Sequence, residues 1–212
     1  MPRSSQEKSL ETRNRIVECA YTLFIEQGYN ATAMREISNR AGVTIGAIYN
    51  HFPNKEAIWQ EVFLTHHPYH EFMPVLRAAQ GETTADIVYA MASGLNRELL
   101  KRNDLLNLLF IEIVEFNAKH VPVLYKEILP DLQRIGSVFK ERFSQLRDFP
   151  MPVLIRSFAG LFFSYYITGL FIQQMHGLTS DDTTLRQMVD LYLFGILADD
   201  DPLRGSAGKK LE

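Results

Sequence analysis

The sequence has little of three things that often place a protein in a class: cysteine, positive charge and long apolar runs. Its 212 residues contain one cysteine, Cys19, which excludes an internal disulfide framework or a cysteine-based metal site. A reducing cytoplasm is the location we expect. The formal net charge of −3 excludes a chain coated with positive charge that binds polyanions indiscriminately. Any nucleic-acid surface must therefore be local.

The longest apolar stretch covers residues 157–172, SFAGLFFSYYITGLFI, between Arg156 and Gln173. It is shorter than the roughly 20 residues that a bilayer-spanning helix needs. We expect a buried helix there and no contact with a membrane. The polar N-terminus lacks the apolar segment of a secretory signal.

Apolar residues at helical spacing, with cap and stop residues, predict four short helices near the N-terminus. The expected N-caps are Thr32, Thr44 and Asn54, and the helices cover residues 8–27, 33–40, 44–52 and 55–66. Two prolines make residues 66–74 look irregular, and we place the domain transition there. Longer helical segments follow at residues 84–101, 104–119, 123–146, 152–175 and 180–197.

No segment alternates with the period of a strand, so the fold class is all-α. We expect one domain at residues 1–65, built around three helices with a helix-turn-helix, and a second, helical bundle at residues 66–200. Residues 201–212 are small and polar, and we expect a disordered tail.

The second and third helices are joined by a tight turn that contains Gly42, which is the pattern of a helix-turn-helix. In that motif the last helix enters a major groove of DNA. Gly46 removes a side chain where the backbone must approach DNA, and Ala47 and Ile48 are expected to face the core. The residues left for the groove are Thr44, Ile45, Tyr49 and Asn50.

Residues 12 to 63, TRNRIVECAYTLFIEQGYNATAMREISNRAGVTIGAIYNHFPNKEAIWQEVF, resemble the DNA-binding domain of the TetR/AcrR family of bacterial transcriptional regulators. The match rests on ordered landmarks: Leu-Phe, Gly-Tyr, Ile-Ser-Asn-Arg-Ala-Gly-Val, Gly-Ala-Ile-Tyr, His-Phe and Asn-Lys-Glu-Ala. The resemblance implies that Arg35 contacts a base or phosphate and that Tyr49, His51 and Lys55 contact phosphates. Thr44, Ile45 and Gly46 match the start of the recognition helix. Relatives often have a polar residue at position 45, whereas Ile45 offers only apolar contact, for example to a thymine methyl group.

Glu112 lies on an apolar helix stripe that also contains Phe116. Because a buried carboxylate is costly unless it is paired, Glu112 either meets an arginine such as Arg97 or Arg156 or faces a ligand cavity. Aromatic residues that could line the same cavity, or simply form core, are Phe162, Tyr165 and Tyr166.

Small residues recur every four positions at Gly160, Ser164 and Thr168, a spacing that lets two helices approach closely. The resemblance implies that the last two long helices, residues 153–175 and 181–197, form a four-helix interface with a second copy of the chain. Leu191 and Phe194 belong to that expected interface. Two-fold symmetry then implies a near-palindromic operator.

The resemblance implies a homodimeric transcriptional regulator, a repressor as is usual in this family, which a small and mostly apolar effector releases from double-stranded DNA. It assigns DNA binding to residues 1–65 and effector binding and dimerisation to residues 66–200. We expect few phosphate contacts, no cofactor and no metal. An enzyme is the first alternative, since His66, His67, His70 and Glu71 form a weak metal-site candidate, but Pro68 interrupts their helix. The second alternative keeps the fold and uses DNA binding to act on protein partners.

Overall fold

The computed structural model describes residues 5–102, 104–142, 149–176 and 182–196. Within those ranges the secondary structure is helical, without strands, which confirms the all-α prediction. The helices are α1 (Ser5–Gln27), α2 (Met34–Arg40), α3 (Ile45–His51), α4 (Lys55–His66), α5 (Tyr69–Ala78), α6 (Thr84–Leu99), α7 (Leu105–Phe116), α8 (Val121–Arg142), α9 (Met151–His176) and α10 (Asp182–Ile196). The predicted tail at residues 201–212 lies outside the described residues.

Two of the three predicted N-caps are confirmed. The side chain of Thr44 accepts a hydrogen bond from the backbone N–H of Ala47, and that of Asn54 accepts one from Ala57. The cap predicted at Thr32 was wrong, because α2 begins one residue later and its N-cap position has no side-chain hydrogen bond. Thr32 is buried instead, and its hydroxyl donates to the carbonyl of Gly28 at 2.9 Å.

The irregular segment predicted at residues 66–74 was wrong, because most of it belongs to α5. Pro68 stands just before this helix, where a missing N–H costs no helical hydrogen bond. Pro74 lies inside α5 and removes one. The neighbouring Met73 is buried and anchors the helix in spite of that loss.

The chain forms two compact units, and they do not follow a single cut along the sequence. The first combines residues 1–69 with 102–128, and the second combines residues 70–101 with 129–212, as far as these are described. This grouping differs from the predicted cut between residues 65 and 66. The reason is that Leu108 on α7 and Leu124 on α8 join the apolar core around Trp59 in the first unit.

In the first unit, α1 packs against α2, α3 and α4, and α2 packs against α3. The side chains at the centre are fully buried and come from every helix of the group. They include Ile16, Phe24, Ile37, Ile48, Phe52, Trp59 and Phe63. This core fixes the orientation of α3, the shortest of the helices together with α2.

In the second unit, α10 packs against both α6 and α9. The buried contacts include Ile87 on α6, Leu161 on α9 and Val189 on α10. The expectation that residues 157–172 form a buried helix was only half right, since α9 exposes Phe163 and Phe171. No helix among the described residues is both long and apolar enough to cross a bilayer.

Candidate DNA-binding surface

The turn between α2 and α3 is held by backbone geometry that requires glycine. Gly42 has a φ of +62°, in the left-handed region where a side chain would be strained. The next residue, Val43, donates its N–H to the carbonyl of Ser38 at 3.0 Å. Thr44 then caps α3, so the direction of the short helix is set by residues directly before it.

One side of α3 is buried and the other faces solvent. Ile48 is 0% exposed, as expected for a core side chain, and Phe52 just after the helix is 1% exposed. On the outer side, Ile45 is 41% exposed and Tyr49 is 53% exposed. The exposed residues of this segment, which we call the outer face of α3, are Thr44, Ile45, Gly46, Tyr49 and Asn50. They include all the residues that the sequence assigned to the groove.

Arg13 on α1 braces the end of α3, a role that the sequence did not suggest. Its guanidinium donates to the backbone carbonyl of His51 at 2.9 Å and to the carboxylate of Glu61 at 3.0 Å. It also lies 4.1 Å from the ring centroid of Phe52. Arg13 therefore connects α1, α3 and α4, and its charge is balanced inside the unit.

Lys55, predicted to contact a phosphate, uses most of its hydrogen-bonding capacity within the protein. Its Nζ donates to the carbonyls of Tyr29 and Thr32, each at 2.8 Å, and lies 4.2 Å from the ring centroid of Tyr29. Burial lowers the pKa of Lys55, with Glu115 acting in the opposite direction. An ammonium group has three donors, so one is left for a phosphate.

The other predicted contacts flank the outer face of α3. Arg35 is exposed near the start of α2, and the side chain of His51 is half-buried at the end of α3. Arg40, at the end of α2, is paired with Glu26 at 2.8 Å. The roles of these residues at DNA stay predictions, and the structure shows which of their side chains are exposed to solvent.

Glu112 is 1% exposed and belongs to the first unit. Its carboxylate accepts from Trp59 Nε1 at 2.8 Å and from the backbone N–H of His120 at 2.7 Å, and it lies 2.9 Å from His120 Nδ1. The expected arginine partner was wrong. Through these three contacts Glu112 ties α4 to α7 and to the residue just before α8.

The remaining residues predicted to line a ligand cavity fall in both units. Phe116 packs on the core of the first unit, whereas Phe162 and Tyr165 are buried in the second unit and Tyr166 is half-buried there. The second unit has a cavity of about 200 Å³ between α6 and α10. Its lining consists of Tyr89, Ala92, Ser93, Leu185, Arg186 and Val189, none of which the sequence singled out.

The residues predicted for a dimer interface are all exposed in the single chain. They are Gly160, Ser164 and Thr168 on α9 and Leu191 and Phe194 on α10. Large apolar neighbours such as Val153 and Phe163 are exposed on α9 as well. The second unit therefore presents apolar surface on the two helices for which the sequence predicted pairing.

A polar cluster holds the end of α4 within the first unit. The imidazole of His66 stacks on Tyr21 with ring centroids 3.7 Å apart and lies 3.3 Å from the Glu18 carboxylate. Arg102 donates to the His66 carbonyl and to Asp104, which also accepts from Tyr21. Burial lowers the pKa of His66, while the same effect together with the Asp104 hydrogen bond raises the pKa of Tyr21.

The histidines that suggested a metal site make different contacts in the structure. Within the described ranges, no three His, Cys, Asp or Glu side chains are arranged to hold a metal ion. His66 is part of the α4 cluster, and His67 Nδ1 accepts from the backbone N–H of Tyr69.

Comparison with known proteins agrees with this geometry. Residues 16–62 match the family described as bacterial regulatory proteins, tetR family. The chain is 41% identical over 63 residues to the HTH-type transcriptional regulator AcrR of Shigella flexneri, which covers 30% of this chain and 29% of that protein. It is 37% identical over 86 residues to TtgR of Pseudomonas putida, which covers 41% of this chain and 40% of that protein.

Solved structures extend the fold comparison to most of the chain. NalD of Pseudomonas aeruginosa aligns with a TM-score of 0.61 at 22% identity, covering 91% of this chain and 99% of the other. FadR of Bacillus halodurans aligns with a TM-score of 0.63 at 19% identity, covering 91% and 97%. At these identities the likeness shows the fold alone.

The matched stretches span less than half the length of AcrR and of TtgR. The family match at residues 16–62 contains the helix-turn-helix. The relatives named here are transcriptional regulators and not enzymes. The resemblance that the motif at residues 12 to 63 predicted is confirmed for that part of the chain: residues 16–62 form a domain of the tetR family of bacterial regulatory proteins.

Proposed function

We propose that the chain is a ligand-responsive repressor that binds a near-palindromic operator as a homodimer and is released by a small, mostly apolar effector. The observation that carries this proposal is the outer face of α3. It combines an exposed isoleucine, a bare glycine, a tyrosine and an asparagine on a helix whose other side is locked into the core. Such a rigid helix can enter a major groove without first having to be ordered.

Dimer formation is supported by the exposed apolar surface of α9 and α10. Two-fold pairing would bury it and place two copies of α3 about one helical turn of DNA apart, roughly 34–36 Å. Leu191→Glu should then give monomers, and Val114→Glu is a matched control because both side chains are about three-quarters exposed, at 76% and 73%. Analytical ultracentrifugation at micromolar concentration separates the outcomes, and a monomeric wild-type chain would contradict the proposal.

Effector release requires a structural link to α4, the helix that follows the helix-turn-helix. The hydrogen bond between Trp59 and Glu112 provides one within the first unit, since it ties α4 to α7. An effector that displaces α7 would therefore displace α4 and alter the separation of the two recognition helices. It must bind the state that does not bind DNA more tightly, because a ligand shifts an equilibrium only by its differential affinity.

Repression as the direction of control is supported by NalD, which is named as the secondary repressor of the MexAB-OprM multidrug efflux pump. The fold is shared with that protein, and we extend the repressor role, but not the efflux target, to this chain.

Fluorescence anisotropy with the DNA upstream of the chain's own coding sequence tests the proposal, with random-sequence selection as the second source of DNA. Tyr49→Ala should weaken binding by tenfold or more, because it removes an exposed side chain on the outer face of α3. Tyr125→Ala is the matched control, since Tyr125 is 48% exposed on α8. If neither DNA binds, or if both variants bind like wild type, the proposal fails.

A further inference from the structure

Gly46 has no structural reason to be glycine within the chain. Its backbone lies in α3 without a positive φ, and a Cβ built there would meet only the Thr44 Oγ1 atom, at 4.0 Å. Glycine destabilises a helix relative to alanine. The free protein would therefore accept alanine and gain stability from it. The space above Gly46 is left for something outside the chain.

The side chains around this gap favour one kind of base pair. At 100° per residue, Ile45, Gly46, Tyr49 and Asn50 fall within one arc of the helix surface. The sequence of α3, IGAIYNH, contains neither lysine nor arginine, the residues that most often recognise guanine. An asparagine amide pairs well with the N6 and N7 groups of adenine, and an apolar side chain packs on the thymine methyl group.

We infer that α3 specifies A·T base pairs, with Ile45 packed against the 5-methyl group of a thymine and the bare backbone at Gly46 bringing the helix close enough for that contact. The inference rests on the proposed function and names the DNA chemistry that its site recognises. Asn50 is the polar partner in this arrangement and reads adenine.

The burial of a single thymine methyl group sets the expected size of the effect. Burying one methyl group changes affinity by roughly fourfold. Replacing the contacted thymine by deoxyuridine removes that methyl and leaves every hydrogen-bonding group in place. Wild-type binding should therefore weaken about three- to fivefold at that position and remain unchanged at other thymines.

The first experiment uses the full chain and an operator obtained by random-sequence selection, with each thymine replaced in turn by deoxyuridine. Ile45→Ala should bind the thymine and deoxyuridine operators equally, because its side chain no longer reaches the methyl group. Ile45→Val should keep part of the difference in affinity between the two operators. If no position responds to deoxyuridine in wild type, or if Ile45→Ala responds as strongly, the inference is overturned.

The second experiment separates a DNA role of Gly46 from a structural role. Gly46→Ala should keep or raise the melting temperature while lowering operator affinity by tenfold or more. Thr65→Ala is the control, because Thr65 is exposed on α4 and the change also favours a helix; it should leave affinity unchanged. Unchanged affinity in Gly46→Ala would overturn the close approach.

The two experiments keep this inference apart from the proposed function. If selection enriches no sequence, DNA binding itself fails, and the inference fails with it. If selection enriches a site whose half-sites carry G·C pairs where α3 binds, the chain is a DNA-binding protein and the inference about α3 is wrong. Enrichment of A·T pairs with a deoxyuridine effect that depends on Ile45 supports both.

Discussion

Replacing Glu112 by alanine tests whether this buried carboxylate holds the first unit together. The substitution leaves the Trp59 Nε1–H and the His120 backbone N–H without their acceptor in a site that is 1% exposed. Each unsatisfied buried donor costs about 1–3 kcal/mol, and the substitution leaves two of them. We expect the free energy of unfolding to fall by about 3–5 kcal/mol and the melting temperature to fall by about 6–20 °C.

The assay is urea unfolding followed by tryptophan fluorescence, because Trp59 is the single tryptophan of the chain and is itself bonded to Glu112. Glu112→Gln keeps the shape and an acceptor, and should lose about half as much. Glu115→Ala is the control on the same helix: its carboxylate accepts from Asn30 at the surface, where such a contact contributes under about 1 kcal/mol.

The reasoning is refuted if Glu112→Ala loses less than about 1 kcal/mol or cannot be distinguished from Glu115→Ala. That result would mean that the carboxylate is not needed to satisfy its neighbours and does not link α4 to α7. A large loss in Glu112→Ala, with little change in Glu115→Ala, supports the link between α4 and α7.

Three further measurements follow from the same unit. Lys55→Met should lower the free energy of unfolding by about 1–3 kcal/mol, because two carbonyls lose a charged donor; no loss in urea unfolding would contradict the positioning role. Burial lowers the pKa of His66 below the ~6.5 of an unfolded chain, so the unfolded state takes up a proton first as the pH falls through that value. The free energy of unfolding of the wild type should therefore fall between pH 7 and 5. The fall should be less steep in His66→Gln and as steep as in the wild type in His70→Gln. Parallel pH curves for all three proteins would argue against this. Because Arg13 and Arg40 are paired inside the unit, we expect about two to four phosphate contacts per protomer, each adding about −0.9 to the slope of log affinity against log salt; a slope near zero would contradict this.

Local signals account for what the sequence predicted well. The caps at Thr44 and Asn54 and the turn at Gly42 depend on neighbours within three or four residues, so the chain itself displays them. The same reasoning failed at Pro68 and Pro74. The packing of Met73 offsets the hydrogen bond that Pro74 removes from α5, and such packing is not visible in a sequence.

Contacts between distant residues account for what could not be predicted. Trp59 and Glu112 are 53 positions apart, and Arg13 and His51 are 38 apart. The position of a single acid on an apolar stripe does not tell which donor pairs with it, so the sequence could not distinguish an arginine from the donors that the fold supplies. The sequence showed that Glu112 needed a partner, since a buried carboxylate is costly, and only the fold shows that Trp59 and His120 supply it.

The charges near the helix-turn-helix also explain why this regulator should act as a dimer. Arg13 and Arg40 are paired with carboxylates, and Lys55 uses two of its three donors on backbone carbonyls. These three cations therefore leave few donors for phosphates. One seven-residue helix with an uncharged outer face then binds weakly alone. Joining two such helices makes the second contact intramolecular and raises affinity by orders of magnitude without any new contact. Under the proposed function, that gain would disappear when the two helices no longer match the spacing of the half-sites, so a small displacement of α4 would release the DNA.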